Sequence, residues 1–221
     1  MQSGSRQDLR QLQVIPKKRA DGRYALRLIL DQGELPEKTL RGLLGVVTEY
    51  GADVRVTVGQ RINIEGLDEQ SLPEVAARLD ARIVERAFSV TVCPGGGICR
   101  MGRQPTRDLA RAVLDAVNRM GPFPGTVKSG VSGCAMGCAL SFARDVGLVA
   151  GAGGWTLYLG NLTARRMQRG ITLGTDLSEA RALDLLEKGL GFYRAHARKR
   201  ERPGDLVHRL GAEAVLRALG L

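Results

Sequence analysis

The four cysteines are the residues of this chain best suited to bind a metal centre. They form two pairs, Cys93 with Cys99 and Cys134 with Cys138, each in glycine-rich surroundings (VCPGGGICR and SGCAMGC). The first residues, MQSGSRQDLRQLQVIPKKR, lack the apolar segment of a secretory signal, so we expect a cytoplasmic protein. Because structural disulfides are rare in the cytoplasm, a metal or cluster site is the first expectation for these thiols.

The spacing of the cysteines and their glycine neighbours favour an iron–sulfur cluster over a zinc ion. Structural zinc usually takes cysteine pairs spaced by two to four residues, whereas residues 94–98 separate the first pair here. A bulky cluster also requires backbone to approach it closely, which glycine permits. Four thiolates at irregular spacing therefore suit a four-iron cluster, with a zinc site and cysteines unrelated to any metal as the alternatives.

Composition narrows the classes of function further. Lys and Arg number 33 against 23 Asp and Glu, giving a net charge of +10, and most of the cations are arginine, which recognises carboxylates and oxyanions in bidentate geometry. Aromatic residues make up only 4%, which argues against nucleic-acid binding by base stacking. No apolar run approaches the ~18 residues of a spanning helix, so we expect no membrane association.

Strand-like and helix-like segments alternate along the chain, which predicts an α+β fold. The predicted strands are residues 24–30, 54–58, 61–65, 88–92, 127–131, 146–150 and 155–159. The predicted helices are residues 36–50, 72–79, 105–120, 178–200 and 206–219. We divide the chain into an N-terminal extension (1–20), a half-domain (21–90) and a cysteine-bearing domain (91–221).

The motifs CPGGGICRMGRQ, VKSGVSGCAMGC, DVGLV and GWTLYLGN resemble those of the siroheme-dependent nitrite and sulfite reductases. The likeness is to the siroheme module of assimilatory nitrite reductases and to the small, single-module assimilatory-type sulfite reductases. The segment VRVTVGQRINIEG is similar to the ferredoxin-like half-domain of this family, and the resemblance covers about residues 20–200. It implies a ferredoxin-like half-domain followed by a siroheme and [4Fe-4S] α+β domain with a helical C-terminus.

The resemblance also implies the cofactors and the reaction. In the family, four cysteines hold a [4Fe-4S] cluster and the last of them also ligates the siroheme iron. By match, Cys93, Cys99, Cys134 and Cys138 bind the cluster, and Cys138 bridges to siroheme. The thiolate enriches the iron in electrons while the opposite position stays open for substrate. The implied activity is six-electron reduction of sulfite to sulfide or of nitrite to ammonia.

Cations near these cofactors have two uses, because siroheme carries carboxylates and the substrate is a small oxyanion. Lys128 matches the second lysine of the family's K-x-K anion motif, and we predict that it holds the substrate. We also count Arg55 and Arg61 among the catalytic cations; Arg61 would replace the arginine of T-x-R-Q only if the backbone adjusts. Gln60 and Arg55 are expected on the strand end that faces the macrocycle.

Arg100 and Arg103 follow the first cysteine pair, and we predict that they bind the siroheme carboxylates. Three positions depart from the family pattern: Thr126 replaces the first lysine of K-x-K, Gly59 the arginine of T-x-R-Q, and Met136 an asparagine. The alternative functions are therefore a non-catalytic iron–sulfur electron-transfer protein and, if the resemblance is coincidental, a zinc-stabilised basic binding module.

The electron source is expected to be another protein. The sequence has no phosphate-binding loop, and the glycine run at 94–97 does not open the helix of a βαβ unit, so a dinucleotide site is not indicated. An acidic ferredoxin or flavoprotein would be attracted to the basic surface. The chain carries one ferredoxin-like half where long members of the family have two, so we also predict a homo-oligomer or a partner subunit.

Overall fold

The computed structural model describes residues 11–161 and 170–221. Within these residues, two mixed sheets of five strands each confirm the predicted α+β class. One sheet belongs to each of two units, residues 1–87 and residues 88–221.

The sheet of the first unit has the strand order β3-β4-β2-β1-β5. Its strands are β1 (Leu12–Lys18), β2 (Tyr24–Ile29), β3 (Asp53–Thr57), β4 (Arg61–Leu67) and β5 (Ala81–Ile83), and its helices are α1 (Glu37–Tyr50) and α2 (Leu72–Arg78). The sequence prediction sets residues 1–20 apart as an extension. Residues 1–10 lie outside the described part of the chain, and Leu12–Lys18 form a strand that pairs with β2.

The alternation of β4 separates an apolar face from a polar face. Ile62 and Ile64 are buried in a core shared with residues of α1 and α2, such as Val46. The other face of the sheet carries Arg55 and Asn63, which are directly opposite each other in the β3–β4 ladder. Residues opposite each other in an antiparallel pair share a face, so Arg55 and Asn63 lie on the side away from the helices.

The sheet of the second unit has the strand order β10-β9-β8-β7-β6. Its strands are β6 (Val90–Val92), β7 (Ser129–Ser132), β8 (Val146–Ala150), β9 (Trp155–Leu159) and β10 (Ile171–Leu177). Its helices are α3 (Arg107–Met120), α4 (Glu179–His196), α5 (Pro203–Leu210) and α6 (Ala212–Ala218). The single helix predicted over 206–219 is wrong, because Gly211 adopts a positive φ of 88° and separates α5 from α6.

Strands β6, β7 and β8 run parallel, so the chain must return from the end of β7 to the start of β8. Residues 133–145 make this return and are named the crossover. It lies on the face opposite the helices: Thr91 donates to the carbonyl of Ala139 at 2.7 Å, whereas Val92 and Val131 point into the helical core. The side chains of Ser132 and Ser141 hydrogen-bond at 2.8 Å on the same face. The second cysteine pair lies in this crossover.

Candidate metal centre

The two cysteine pairs follow neighbouring parallel strands at the same edge of the second sheet. Cys93 comes directly after β6, and Cys134 lies two residues after β7. Val92 is paired with Val131, and the N–H of Cys93 donates to the Val131 carbonyl at 3.3 Å. The N–H of Gly133 donates to the sulfur of Cys93 at 3.1 Å. The first cysteine is therefore in contact with the residue that precedes the third.

The loop that carries Cys99 folds back onto the start of the crossover. In this segment, residues 94–104, named the Cys99 loop, the N–H of Cys99 donates to the carbonyl of Gly95 at 2.8 Å. The N–H of Gly102 then donates to the Cys99 carbonyl at 2.9 Å, and the N–H of Arg103 to the Gly133 carbonyl at 2.6 Å. These bonds bring the Cys99 loop alongside the residue next to Cys134. The fold thus gathers all four predicted ligands at one edge.

Two glycines in this region are required by close backbone packing. A Cβ at Gly133 would lie 2.7 Å from the Cα of Gly95, and one at Gly95 would lie 2.5 Å from the hydroxyl oxygen of Thr106. Gly95 also has a positive φ of 70°. Glycines beside the cysteines are expected to let a cluster approach the backbone closely. In the structure they also let the Cys99 loop pack on the crossover.

The second pair is held by the sheet beneath it. The N–H of Ala139, next to Cys138, donates to the hydroxyl of Ser132 at 3.1 Å. A Cβ at Gly130 would lie 2.6 Å from the carbonyl oxygen of Ala139, so glycine in β7 allows the crossover to sit directly on the strand. Cys138 is exposed as a result, although its neighbour Ala139 is buried.

All four thiols are free: Cys93 and Cys134 are half-buried, whereas Cys99 and Cys138 are exposed. Among residues 11–161 and 170–221, no three His, Cys, Asp or Glu side chains are grouped so that they could hold a single metal ion. A zinc ion requires its ligands within about 2.0–2.3 Å of one point, whereas a [4Fe-4S] cluster takes its four thiolates from around a cube. Four free cysteines on two adjoining loops fit the donor set of the cluster.

The structure places Lys128 at the opposite end of β7 from Cys134. Lys128 precedes the strand, and β7 alone spans roughly 10 Å at about 3.3 Å per residue. By strand alternation Lys128 shares the face of Ser132, on which the crossover lies. Its exposed side chain is therefore on the same face as the second cysteine pair, but at the far edge of the sheet.

Arg100 and Arg103 are both exposed on the Cys99 loop, beside the first cysteine pair as the sequence predicts. Sequence reasoning did not single out Arg144, at the end of the crossover. Its Nε is buried and has no hydrogen-bond partner, and burial lowers the pKa of its guanidinium. The position of Arg144, directly before the DVGLV motif, could have indicated it as a candidate. An unsatisfied buried cationic donor is suited to receive an anionic group.

In the first unit, Arg55 lies in a hydrogen-bonded network on the polar face of the sheet. Its Nε donates to Glu65 at 3.1 Å, and Glu65 also accepts from the amide of Asn63 at 3.3 Å. Asn63 in turn accepts from Arg27 at 3.0 Å. Burial raises the pKa of Glu65, but the bonds from Arg55 and Asn63 outweigh it and lower the pKa overall. Glu65 is thus shared between Arg55, whose side chain is 70% exposed, and Arg19, whose Nη1 lies 3.1 Å from the other carboxylate oxygen.

Gln60 and Arg61 lie at the turn between β3 and β4. Arg61 is paired with Thr57, so residues 58–60 form the loop, and the N–H of Gln60 donates to the Thr57 carbonyl at 3.1 Å. Gln60 adopts the left-handed conformation with φ 54°, as is usual for the last residue of a three-residue hairpin loop. This turn places Arg61 on the same face as Arg55. The role of Arg61 as a catalytic cation stays a prediction.

Comparison with known proteins identifies the family. The sequence model described as "Nitrite and sulphite reductase 4Fe-4S domain" matches residues 84–221, and that described as "Nitrite/Sulfite reductase ferredoxin-like half domain" matches residues 15–82. The chain belongs to the nitrite and sulphite reductase family. Membership confirms the oxidoreductase class and the cofactors that the resemblance implied, a [4Fe-4S] cluster and siroheme.

Individual relatives of this reductase differ in how much of their length it covers. It is 35% identical over 170 residues to an assimilatory-type sulfite reductase of Nitratidesulfovibrio vulgaris, covering 75% of this chain and 78% of the relative. It is 30% identical over 200 residues to a Bacillus subtilis NAD(P)H nitrite reductase, covering 88% of this chain but only 25% of that enzyme.

The fold of Mycobacterium tuberculosis NirA is similar, with a TM-score of 0.71 at 20% identity over 91% of this chain and 41% of NirA. The dissimilatory sulfite reductase DsrI gives a TM-score of 0.68 at 13% identity, covering 89% of this chain and 69% of that chain. These likenesses confirm the predicted fold. In the part of the reductase that the structure describes, every helix is too short or too polar to cross a membrane.

Proposed function

We propose that this chain catalyses the six-electron reduction of sulfite to sulfide or of nitrite to ammonia, on a siroheme coupled to a [4Fe-4S] cluster. The observation that carries the proposal is the gathering of four free cysteines on two adjoining loops at one edge of β6 and β7. An electron carrier alone would also need these thiols, but family membership and the cations on the crossover face favour catalysis on an anion.

The four cysteines have distinct positions in the proposed site. Cys93, Cys99, Cys134 and Cys138 would hold the cluster, and Cys138, exposed on the crossover, would also ligate the siroheme iron. When bound, the two cofactors supply single electrons and an iron with an open position for the substrate. The protein contributes the thiolates, fixes their separation through the Cys99 loop and the crossover, and keeps both loops on one sheet edge.

The cations of the second unit would bind the anionic groups. Arg100, Arg103 and the unsatisfied Arg144 would pair with siroheme carboxylates, since guanidinium and carboxylate form bidentate charge-assisted hydrogen bonds. Lys128, on the crossover face, would bind the substrate oxyanion and donate a proton to the oxygen that leaves as water.

In the first unit, the β3–β4 hairpin carries Arg55, Gln60 and Arg61. Their roles are proposed from the family resemblance. Gln60 would bind the macrocycle, and Arg55 and Arg61 would act as catalytic cations.

Sulfite is the first substrate to test, because the assimilatory-type sulfite reductase is matched over 78% of its length. The holoprotein, purified without oxygen, should show a Soret band, a red band typical of an isobacteriochlorin and broad cluster absorption. Turnover with reduced methyl viologen against sulfite and nitrite then assigns the substrate. Cluster absorption without siroheme bands would favour the electron carrier, and a colourless protein with stoichiometric zinc would favour the binding module.

Substitution of the bridging thiol tests the proposed coupling of the cofactors. Cys138→Ser should retain less siroheme and lose the spectroscopic coupling between the two iron centres. Met136→Leu is a matched control, because Met136 is 71% exposed between the two crossover cysteines and contributes no ligand. Equal siroheme content and coupling in Cys138→Ser and wild type would refute the bridging role.

We propose an acidic ferredoxin or flavoprotein as the electron donor. The net charge is +10, which attracts an acidic partner. Added salt should therefore slow turnover with ferredoxin but not with viologen. A rate with ferredoxin that is independent of salt would contradict this mode of docking.

We also propose that the protein acts in the cytoplasm, where its free thiols would remain reduced, and that it forms a homo-oligomer or binds a partner subunit. Light scattering on the active holoprotein tests the second point. A monomer with full turnover would argue against it.

A further inference from the structure

The backbone of Lys128 is fixed by a buried carboxylate. The N–H of Lys128 donates to Oδ2 of Asp145 at 2.8 Å, and its carbonyl accepts from the N–H of Val146 at 3.0 Å. The side chain of Asp145 has no exposed surface. Both backbone groups of Lys128 are thus bonded, one to Asp145 at the end of the crossover and the other to Val146 at the start of β8.

The carboxylate is in turn held by an arginine from the C-terminal region. Nε of Arg202 donates to Oδ1 of Asp145 at 3.1 Å, and its Nη2 donates to Oδ2 at 2.8 Å. Burial raises the pKa of Asp145, and the bonds from Arg202 and from the Lys128 N–H oppose that rise. This bidentate fork fixes the plane of the carboxylate, and hence the direction in which it accepts from Lys128.

The loop around Arg202 grips the chain just before Lys128 at further points. The N–H of Arg200 donates to the carbonyl of Pro124 at 2.9 Å. The hydroxyl of Tyr193 accepts from the N–H of Gly125 at 3.0 Å and donates to the carbonyl of Glu201 at 2.7 Å. Burial raises the pKa of Tyr193 to about 12, so this hydroxyl keeps its proton. Segment 124–128 is therefore clamped by the last turn of α4 and the loop between α4 and α5.

We propose that Asp145 and Arg202 are positioning residues that set the place from which Lys128 reaches the substrate anion. The inference rests on the proposed role of Lys128 and extends it to two residues that need not touch substrate. A buried ion pair contributes little net stability, because desolvation offsets the attraction between its charges. Its geometric effect is larger, since it fixes the residue directly before β7, the strand whose far end leads to Cys134.

The test removes the bidentate guanidinium of Arg202 and keeps the positive charge at that position. Arg202→Lys cannot bond both carboxylate oxygens in the same plane, so the displaced Lys128 should bind the anion more weakly and KM for sulfite should rise about tenfold. Because Lys128 is also the proposed proton donor, kcat should fall as well. The visible spectrum should be unchanged. Amide hydrogen exchange at Lys128 should become faster, a readout that does not depend on turnover.

Arg200→Lys is the matched control, because it changes an exposed arginine of the same loop whose bond to Pro124 is made by its backbone. It should leave KM and exchange as in wild type. If Arg202→Lys does not fold, Tyr193→Phe removes only the hydroxyl of the clamp. It should raise both KM for sulfite and the rate of amide hydrogen exchange at Lys128.

A double substitution separates the inference from the function on which it rests. If Lys128→Ala leaves KM for the anion unchanged, the proposed role of Lys128 fails. If Lys128→Ala raises KM, Arg202→Lys should add nothing to it in that background. The positioning role fails if Arg202→Lys alone does not raise KM, or if it raises KM as much in the Lys128→Ala background as in wild type. Both outcomes leave the proposed function intact.

Discussion

Adding one methyl group to β7 tests how closely the crossover is packed on the sheet. In Gly130→Ala the new Cβ would lie 2.6 Å from the carbonyl oxygen of Ala139, about 0.8 Å short of the 3.4 Å of ordinary contact. The same Cβ would meet Arg144 at 3.1 Å and Thr91 at 3.2 Å, so it cannot move aside. Overpacking of this kind costs about 1–3 kcal/mol, and we expect the upper part of that range because the obstructing atom is backbone.

Trp155 is the only tryptophan, is 2% exposed and lies in the core of the second unit, so its fluorescence reports unfolding of that unit. With a slope of about 1–3 kcal/mol per M urea, a loss of about 2–3 kcal/mol lowers the midpoint by roughly 0.7–3 M. Less cluster should also be retained per chain, since the displaced carbonyl is next to Cys138. Gly191→Ala is the control: its Cβ would meet only Met120 at 3.8 Å, so a helix alanine should stabilise by up to about 1 kcal/mol.

A Gly130→Ala protein that unfolds at the wild-type urea concentration and binds a full cluster would refute the packing argument. It would mean that the crossover can lift from β7 without cost. Gly130, in the segment KSGVS, would then have another explanation.

Three further changes have defined outcomes. Thr106→Val removes the 2.6 Å hydrogen bond from a buried hydroxyl to the Cys93 carbonyl. It should lower the free energy of unfolding, measured in urea, by about 1–3 kcal/mol, and an unchanged urea midpoint would contradict this. Hydrogen bonds from Arg209 lower the pKa of Glu201 to about 2, so its contribution is complete above about pH 4.3 and is lost as pH falls toward 2. The free energy of unfolding of Glu201→Gln should therefore fall less over that pH range than that of wild type. Parallel curves of unfolding free energy against pH for the two proteins would contradict this. Leu157→Ala at a fully buried position should cost about 2–5 kcal/mol by thermal or urea unfolding, and a smaller loss would indicate a core that collapses around the gap.

The sequence predicts an element well where its pattern is uninterrupted. Strands β8 and β9 have the predicted bounds, because apolar residues run through one and alternate in the other. Strand β1 was missed because Pro16 lies within it; the structure tolerates this proline because β5 pairs only with residues 12–14. Strand β10 was missed because two register shifts interrupt its alternation.

The same contrast holds for the candidate site. The cysteines could be found because their spacing and glycine neighbours are local in sequence. The ion pair of Asp145 and Arg202 could not, since the partners are 57 residues apart and only the packing of the α4–α5 loop brings them together. Arg144 could not be ranked above the other arginines either, because its unsatisfied nitrogen is a property of burial.

The unequal exposure of the four thiols has a consequence for the protein before it receives its cluster. Solvent reaches Cys99 and Cys138 freely, whereas Cys93 is half-covered and its sulfur accepts the N–H of Gly133. Alkylating reagents and oxidants should therefore attack the two outer sulfurs first. Damage at Cys138 alone would remove the proposed bridge between the metal centres, so maturation in air should yield a chain that is folded, pale and inactive.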